Sequence, residues 1–255
     1  MSETILTQCE DRILTITINR PEKKNALSLE MYDRLTVALD EAQADPQVRV
    51  ILITGSGDSF SSGNDLTDFL RHPPTPGDSP AARFLHAICG AGKPIVAAVN
   101  GVAIGIGTTL LLHCDFAYAG RSAKFQLPFV NLALVPEAGS SLLLPRLMGQ
   151  RKAAELLMLG EMFSPETALE CGLINAVCDD AALLETARGT ARKLAAKAPE
   201  ALRLTRELLK DAGGTANNRI DRELELFAER LASPEARETL QAVMEKRAPD
   251  FSKFS

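Results

Sequence analysis

Two stretches of this chain carry residue types at spacings that suit chemistry at a carbonyl group. The first is Asn100-Gly101-Val102-Ala103-Ile104-Gly105-Ile106-Gly107, which follows the apolar run Pro94 to Val99. That run reads as a buried parallel strand. Thr108-Thr109-Leu110-Leu111-Leu112 comes next and can start a buried helix. A strand feeding a glycine-rich turn and then a helix presents backbone N–H groups at a helix N-terminus, where negative charge is favoured. Aimed at an ester or thioester carbonyl, such groups stabilise an enolate or oxyanion. The second stretch is Val135-Pro136-Glu137-Ala138-Gly139-Ser140-Ser141, which sets one carboxylate beside a proline. Together the two suggest an oxyanion hole plus a base. The Pro-Glu pair reads equally well as an ordinary helix start, because proline suits the first helical position and glutamate suits the dipole.

Other chemistries fit less well. Gly105-Ile106-Gly107-Thr108-Thr109-Leu110 lacks the third glycine of a dinucleotide fingerprint, and no acid follows about 20 residues on. There is no Gly-Lys-Ser/Thr for a phosphate loop and no G-x-S-x-G for a serine nucleophile. His113, Cys114 and Asp115 are adjacent, but neighbours on one element point apart. His113 sits in the apolar run Leu110 to Phe116 and reads as a core histidine, so no metal site is expected. His72 and His86 are isolated and read as solvent-facing.

These stretches need elements to hold them. Thr4 to Gln8 and Ile13 to Asn19 read as a hairpin turning at Glu10-Asp11-Arg12. Arg20 to Leu27 is a polar, proline-marked loop, and Ser28 caps a helix with Met31, Leu35, Leu39 and Ala42 on its apolar face. Val48 to Thr54 is a strand, and the small-residue loop Gly55 to Leu66 after it is a second place where backbone can approach a ligand. Phe69 to Pro80 holds Pro73, Pro74, Pro76 and Pro80 and reads as a surface loop. Helices are expected over 81–91, 150–159, 165–172 and 181–198, and strands over 115–119, 123–126 and 173–177. The recurring unit is strand, small-residue loop, helix, which points to an α/β fold with ligands at strand C-terminal ends. From Pro199 strand signals vanish while helical spacing persists in Ile220, Leu224, Phe227 and Leu231, with a break at Gly213-Gly214. The division expected is a core over 1–198 and a helical tail over 199–255.

At 255 residues the chain suits one large domain or a domain with an appendage. Hydrophobic residues make up 45% and charged residues 24%, which is ordinary for a globular protein. A net charge of −5 argues against a nucleic-acid surface. Cys9, Cys89, Cys114, Cys171 and Cys178 form no C-x-x-C, so neither zinc nor a disulfide framework is indicated. No apolar run approaches the ~18 residues of a membrane span, and no export signal opens the chain. Cytoplasm is the expected compartment.

With both loops and Glu137 in view, the chain resembles the crotonase superfamily of enoyl-CoA hydratases and isomerases. The resemblance runs from roughly Ile13 to Phe251, within single-sequence limits. It rests on Asn19-Arg20-Pro21 with Asn25-Ala26-Leu27, on Phe60-Ser61-Ser62-Gly63-Asn64-Asp65-Leu66, on Lys93-Pro94 with Asn100-Gly101, and on Cys114-Asp115. It implies a spiral of ββα units with a C-terminal helical trimerisation region, as a homotrimer or homohexamer. It implies an acyl-CoA thioester as ligand, with coenzyme A as part of the substrate and no separate cofactor. By the family pattern, the N–H groups of Asn64 and Ile106 form the oxyanion hole. Lys24, Ala26 and the loop Ser61, Ser62, Gly63, Asn64, Asp65, Leu66 line the CoA side, and Lys246 and Phe251 approach CoA from the tail, of the same or of a neighbouring subunit. Phe129 and Leu132, with Leu134 and Leu142, form the apolar surroundings of Glu137.

The departures from the family pattern select the reaction. The hydratases of this family hold a water between two glutamates. Here those positions are Thr109 and Phe129, the latter after Gln126-Leu127-Pro128. Neither residue can relay protons to and from a water as a carboxylate pair does. Pro136-Glu137-Ala138-Gly139-Ser140-Ser141 is instead similar to the Pro-Glu-Gly-x-Ser-Ser of peroxisomal-type Δ3,Δ2-enoyl-CoA isomerases. The resemblance implies that Glu137 moves a proton from C2 to C4 of a β,γ-unsaturated acyl-CoA. Another crotonase-type reaction, including hydration, and a non-catalytic acyl-CoA-binding role are the competing readings.

Overall fold

The computed structural model describes residues 3–71, 79–210, 216–231 and 233–254. The strands are β1 (Ile5–Glu10), β2 (Ile13–Ile18), β3 (Val50–Gly55), β4 (Ser59–Ser61), β5 (Ile95–Val99), β6 (Val102–Ile104), β7 (Phe116–Gly120), β8 (Lys124–Gln126) and β9 (Ala176–Cys178). They form a six-stranded sheet in the order β1-β2-β3-β5-β7-β9 and a three-stranded sheet in the order β4-β6-β8. Three successive strand pairs, β3 with β4, β5 with β6, and β7 with β8, each give one strand to each sheet. The chain therefore winds as a spiral of ββα units, one turn per pair. All pairings are parallel except the opening hairpin, where Asp11 and Arg12 both take positive φ. That is the turn geometry that matches strand twist.

The helices are α1 (Leu29–Ala44), α2 (Leu66–Arg71), α3 (Pro80–Gly90), α4 (Ile106–Thr109), α5 (Ser140–Met148), α6 (Gln150–Ala154), α7 (Pro165–Glu170), α8 (Leu183–Ala195), α9 (Pro199–Lys210), α10 (Ala216–Leu231) and α11 (Pro234–Met244). The apolar run of β3 is buried on both faces, and its alternation decides what covers each face. Val50 and Leu52 pack with Val96 and Ala98 under Leu183, Ala187, Ala191 and Ala195 of α8. Those four recur every fourth residue and so form one helix stripe. Ile51 and Ile53 face the larger core, which includes Met31, Leu35 and Leu39 of α1. Ser28 caps α1 through the Met31 N–H at 3.3 Å.

β4 and β6 are strands where the sequence reads as loop and turn. Each is three residues long, so the period-2 signal is too short to register. α2 takes Phe69 to Arg71 out of the expected loop, while His72, Pro73, Pro74 and Pro76 lie outside the described residues, as do Gly213 and Gly214. Ser79 caps α3 with Pro80 at its first position. The helix expected over 150–159 is α6 followed by a π-helical turn, Glu155–Leu159. Among the described residues, no helix is long and apolar enough to cross a membrane.

The first tail helix is tied to the core. Arg206 of α9 is buried and meets both oxygens of Asp115, at 2.7 and 2.8 Å from Nε. Its other nitrogens reach the carbonyls of Ala91 and His113. Asp115 also accepts the Ile95 N–H at 2.8 Å, so it joins α9 to the start of β5.

Candidate active site

The C-terminal ends of β4 and β6 lie side by side and carry the two candidate oxyanion donors. Ser61 pairs with Ala103, and each strand runs on into a glycine and then the residue of interest, Gly63-Asn64 and Gly105-Ile106. The approach is close. A Cβ on Gly107 would sit 2.6 Å from the Ser61 carbonyl oxygen, and one on Gly63, whose φ is +94°, would sit 2.9 Å from that of Ile104. Side chains at either position would force these two turns apart.

Hydrogen-bond geometry leaves both donors available. Leu27 bridges Asn64 in parallel: the Leu27 N–H meets the Gly63 carbonyl at 2.8 Å and the Asp65 N–H meets the Leu27 carbonyl at 2.9 Å. The N–H of the bridged residue points away from its partner in such a pair. The Ile106 N–H opens α4, where the first amides have no intrahelical acceptor. Thr108 and Thr109 already donate to the Gly105 carbonyl, each at 2.9 Å. Neither Asn64 N–H nor Ile106 N–H meets an acceptor among the described residues.

The loop from Lys24 to Leu27 braces the Asn64 side. Asn25 is fully buried with φ +57°, and its Nδ2 donates to the carbonyls of Ser56 and Ser59 at 2.9 and 2.5 Å. Ser61 is fully buried, and its Oγ donates to the Asn25 carbonyl at 2.9 Å while accepting the Gly63 N–H at 3.2 Å. The Ser62 N–H donates to the Lys24 carbonyl at 2.9 Å. Ser61, Ser62 and Gly63 thus hold main chain in place. An open groove of about 810 Å³ lies next to them, bordered by Arg20, Lys23, Ala26, Asn64, Asp65 and Leu66. Arg20 bonds Asp65 at 2.8 Å and holds that carboxyl below its usual range. Lys23, rather than Lys24, borders this groove.

Glu137 stands on the other side. It precedes α5 by three residues, because the helix starts at Ser140 after Gly139, so the helix-start reading of this carboxylate does not describe its position. Its carbonyl accepts the Ser140 N–H at 3.0 Å and the Ser140 hydroxyl at 2.6 Å. Ala138 takes φ +56° without being glycine. Its carbonyl accepts Nε2–H of the buried His113 at 2.9 Å. Burial lowers the His113 pKa, so the ring is neutral near pH 7 and its proton lies on the nitrogen facing the carbonyl. The Glu137 side chain accepts a hydrogen bond from Thr109 Oγ1 at 2.5 Å on Oε1. Thr109 is buried and lies one helical turn after Ile106, so base and candidate oxyanion donor are tied to the same short helix. Burial pushes the Glu137 carboxyl up, and the Thr109 hydroxyl partly offsets this.

Other expected positions fall elsewhere. Phe129 is buried, whereas Leu132, Leu134 and Leu142 are 45%, 54% and 54% exposed in the single chain. Phe251 packs against Phe254, and its carbonyl accepts from Arg49 at the N-terminal end of β3. The site lies at the opposite end of that strand, so this chain does not bring Phe251 to its own Glu137. Lys246 is exposed at the end of α11 with φ +54°.

Two contributors escaped the sequence reading. In the sequence Thr109 stands out only as a missing glutamate, whereas in the structure it donates to Glu137. Tyr32 is 1% exposed, donates its hydroxyl to Asn64 Oδ1, and feels the charge of Glu137, which with burial holds its pKa well above the usual tyrosine range. The available signal was a phenol inside an apolar helix stripe, because a buried hydroxyl needs a partner.

The enoyl-CoA hydratase/isomerase family model matches residues 8–253. The chain is 38% identical over 266 residues to 1,2-epoxyphenylacetyl-CoA isomerase of Escherichia coli K12, covering 99% of both proteins. It is 39% identical to enoyl-CoA delta isomerase 2 of Rattus norvegicus over 82% of this chain and 55% of that protein. A solved structure from Magnetospirillum magneticum AMB-1, described as an enoyl-CoA hydratase/carnithine racemase, is 49% identical and superposes with a TM-score of 0.96 over 99% of this chain and 100% of that one. The spiral of paired strands, the two facing glycine turns and these likenesses lead to one family: the chain belongs to the enoyl-CoA hydratase/isomerase family of the crotonase superfamily.

Proposed function

We propose that this chain is a Δ3,Δ2-enoyl-CoA isomerase working with one acid/base, Glu137, and a main-chain oxyanion hole. The observation that carries the reading is the setting of Glu137. Its carboxyl is shifted by burial and by Thr109, with no second carboxylate contributing among the described residues. A double-bond shift consumes no water, so one carboxylate suffices where hydration calls for proton transfer to and from a positioned water.

In this scheme the thioester oxygen lies against the N–H groups of Asn64 and Ile106. Thr109 occupies Oε1 of Glu137, which leaves Oε2 to take a proton from C2. The electrons of that C–H bond form the C1–C2 double bond of a dienolate as the C1–O π pair moves onto the thioester oxygen, where the charge rests. The same carboxyl then returns the proton to C4: the oxygen pair re-forms the C1–O double bond, the C1–C2 pair becomes the C2–C3 double bond, and the C3–C4 π pair takes the proton. The raised pKa suits both halves, since a base that is also to act as an acid works best near the operating pH. The groove beside Asn64 and Ala26 takes the CoA portion, with Arg20 and Lys23 as its cationic border. Exposed apolar side chains on the last helices, Leu224, Phe227, Val243 and Met244, support a trimer or a pair of trimers.

The test is incubation with β,γ- and α,β-enoyl-CoA separately, with products followed by mass and absorbance. Conjugation of the first without mass gain, lost in Glu137→Gln, is the expected result. Addition of one water to the α,β-substrate without any double-bond shift would overturn the reading in favour of a hydratase. Full activity in Glu137→Gln would remove the one-base mechanism.

A further inference from the structure

Asn64, which borders the groove, makes a polar contact on its inner side that the one-base scheme leaves unused. Tyr32 lies on α1, its ring tilted at 50° against Phe84 of α3 with centroids 5.5 Å apart. Phenylalanine would fill the same space at no polar cost. The hydroxyl is instead buried and donates to Asn64 Oδ1. A buried hydroxyl without an acceptor is costly. An Asn64 amide turned the other way would leave the phenol hydrogen with none, so the contact fixes the orientation of that amide. With Oδ1 occupied, the Nδ2 hydrogens have no partner among the described residues, and Asn64 borders the open groove.

We propose that Tyr32 is a positioning residue: by holding Oδ1 it turns the Asn64 Nδ2 hydrogens to the groove, where they add a side-chain donor for an acyl thioester beside the main-chain N–H of the same residue. The inference rests on the oxyanion role given to Asn64 above. The phenol stays protonated across the working range, because burial and the negative charge of Glu137 both oppose its ionisation, so the Asn64 amide keeps one orientation as pH varies.

Two readouts on the full-length chain test this. The first is turnover of a β,γ-enoyl-CoA. The second is the absorbance of bound acetoacetyl-CoA, whose enolate forms when an oxyanion hole stabilises it and which needs no isomerase activity. Tyr32→Phe is expected to lower kcat about 10- to 100-fold with KM within about twofold, and to weaken the enolate band. Tyr32→Phe added to Asn64→Ala is expected to cost nothing more, because the phenol acts through that side chain. A merely structural tyrosine would change the melting temperature without this coupling. Wild-type kcat and enolate band in Tyr32→Phe, or losses that multiply in the double variant, would overturn the inference. If the wild type ionises the probe but does not isomerise, the isomerase reading falls, and the enolate band of the variants decides the role of Tyr32. A wild type that neither ionises the probe nor isomerises overturns both.

Discussion

The 2.5 Å contact between Thr109 Oγ1 and Glu137 Oε1 sets how readily the carboxyl gives up its proton. Burial favours the neutral acid, while the threonine donor favours the ionised base. Thr109→Val removes the donor and keeps the shape. The Glu137 pKa then rises further, a smaller fraction is ionised at a given pH, and the acidic limb of the kcat/KM profile moves to higher pH. An unmoved limb would show that the hydroxyl does not tune the base. The same shift has a stability side. The folded carboxyl holds its proton more tightly than the unfolded one. It therefore costs stability progressively as pH rises from the ordinary glutamate range through the raised value. Glu137→Gln should thus be inactive yet at least as stable as the wild type at neutral pH, as read by thermal melts. Glu137 itself was plain in the chain; its partner Thr109 was not, because hydrogen bonds between residues 28 apart depend on two loops meeting.

At the scale of elements, the site depends on the β4 and β6 turns touching through backbone. Gly107→Ala puts a Cβ 2.6 Å from the Ser61 carbonyl oxygen, with no flexible side chain to yield. We expect a stability loss of about 1–3 kcal/mol in urea unfolding. Turnover should fall further than the loss of folded protein explains, since the Asn64 and Ile106 amides separate. Native stability in this variant would mean the turns are loosely joined. The glycines were visible in the sequence as places where backbone comes close. Which backbone they meet was not, because β4 and β6 are too short to show a periodicity and pair across forty residues. The longer strands β3 and β5 were legible, since a run buried on both faces is apolar throughout. The helix of Ala181 to Ala198 was legible too, and it emerges as α8 with one alanine-rich stripe.

For the whole molecule, Arg206 joins the tail to the core. Its guanidinium is buried against Asp115 and two carbonyls, so removing it leaves a carboxylate without its partner. Arg206→Ala should cost about 3–5 kcal/mol, read by denaturant midpoint. A loss below about 1 kcal/mol would show that α9 is held by its apolar face alone. Because Arg206 also reaches the His113 carbonyl, and His113 bonds the Ala138 carbonyl beside Glu137, the tail is joined by hydrogen bonds to the candidate site. The division expected at 198/199 marks a change in secondary structure rather than a gap in contacts.

The amino-acid sequence by itself determined the family and the order of the longer strands and helices, and it marked Glu137 and the two glycine turns as candidates, because these follow from local residue types and short spacings. The tertiary structure alone decided that Ser61 and Ser62 hold main chain in place, that Leu132, Leu134 and Leu142 are exposed in the single chain, that Phe251 docks at the far end of β3, and that Tyr32 and Thr109 belong to the site. The physical reason is the same in each case. A side chain's partner is set by which segments the spiral brings together, and that is a property of long-range packing with no trace in local periodicity.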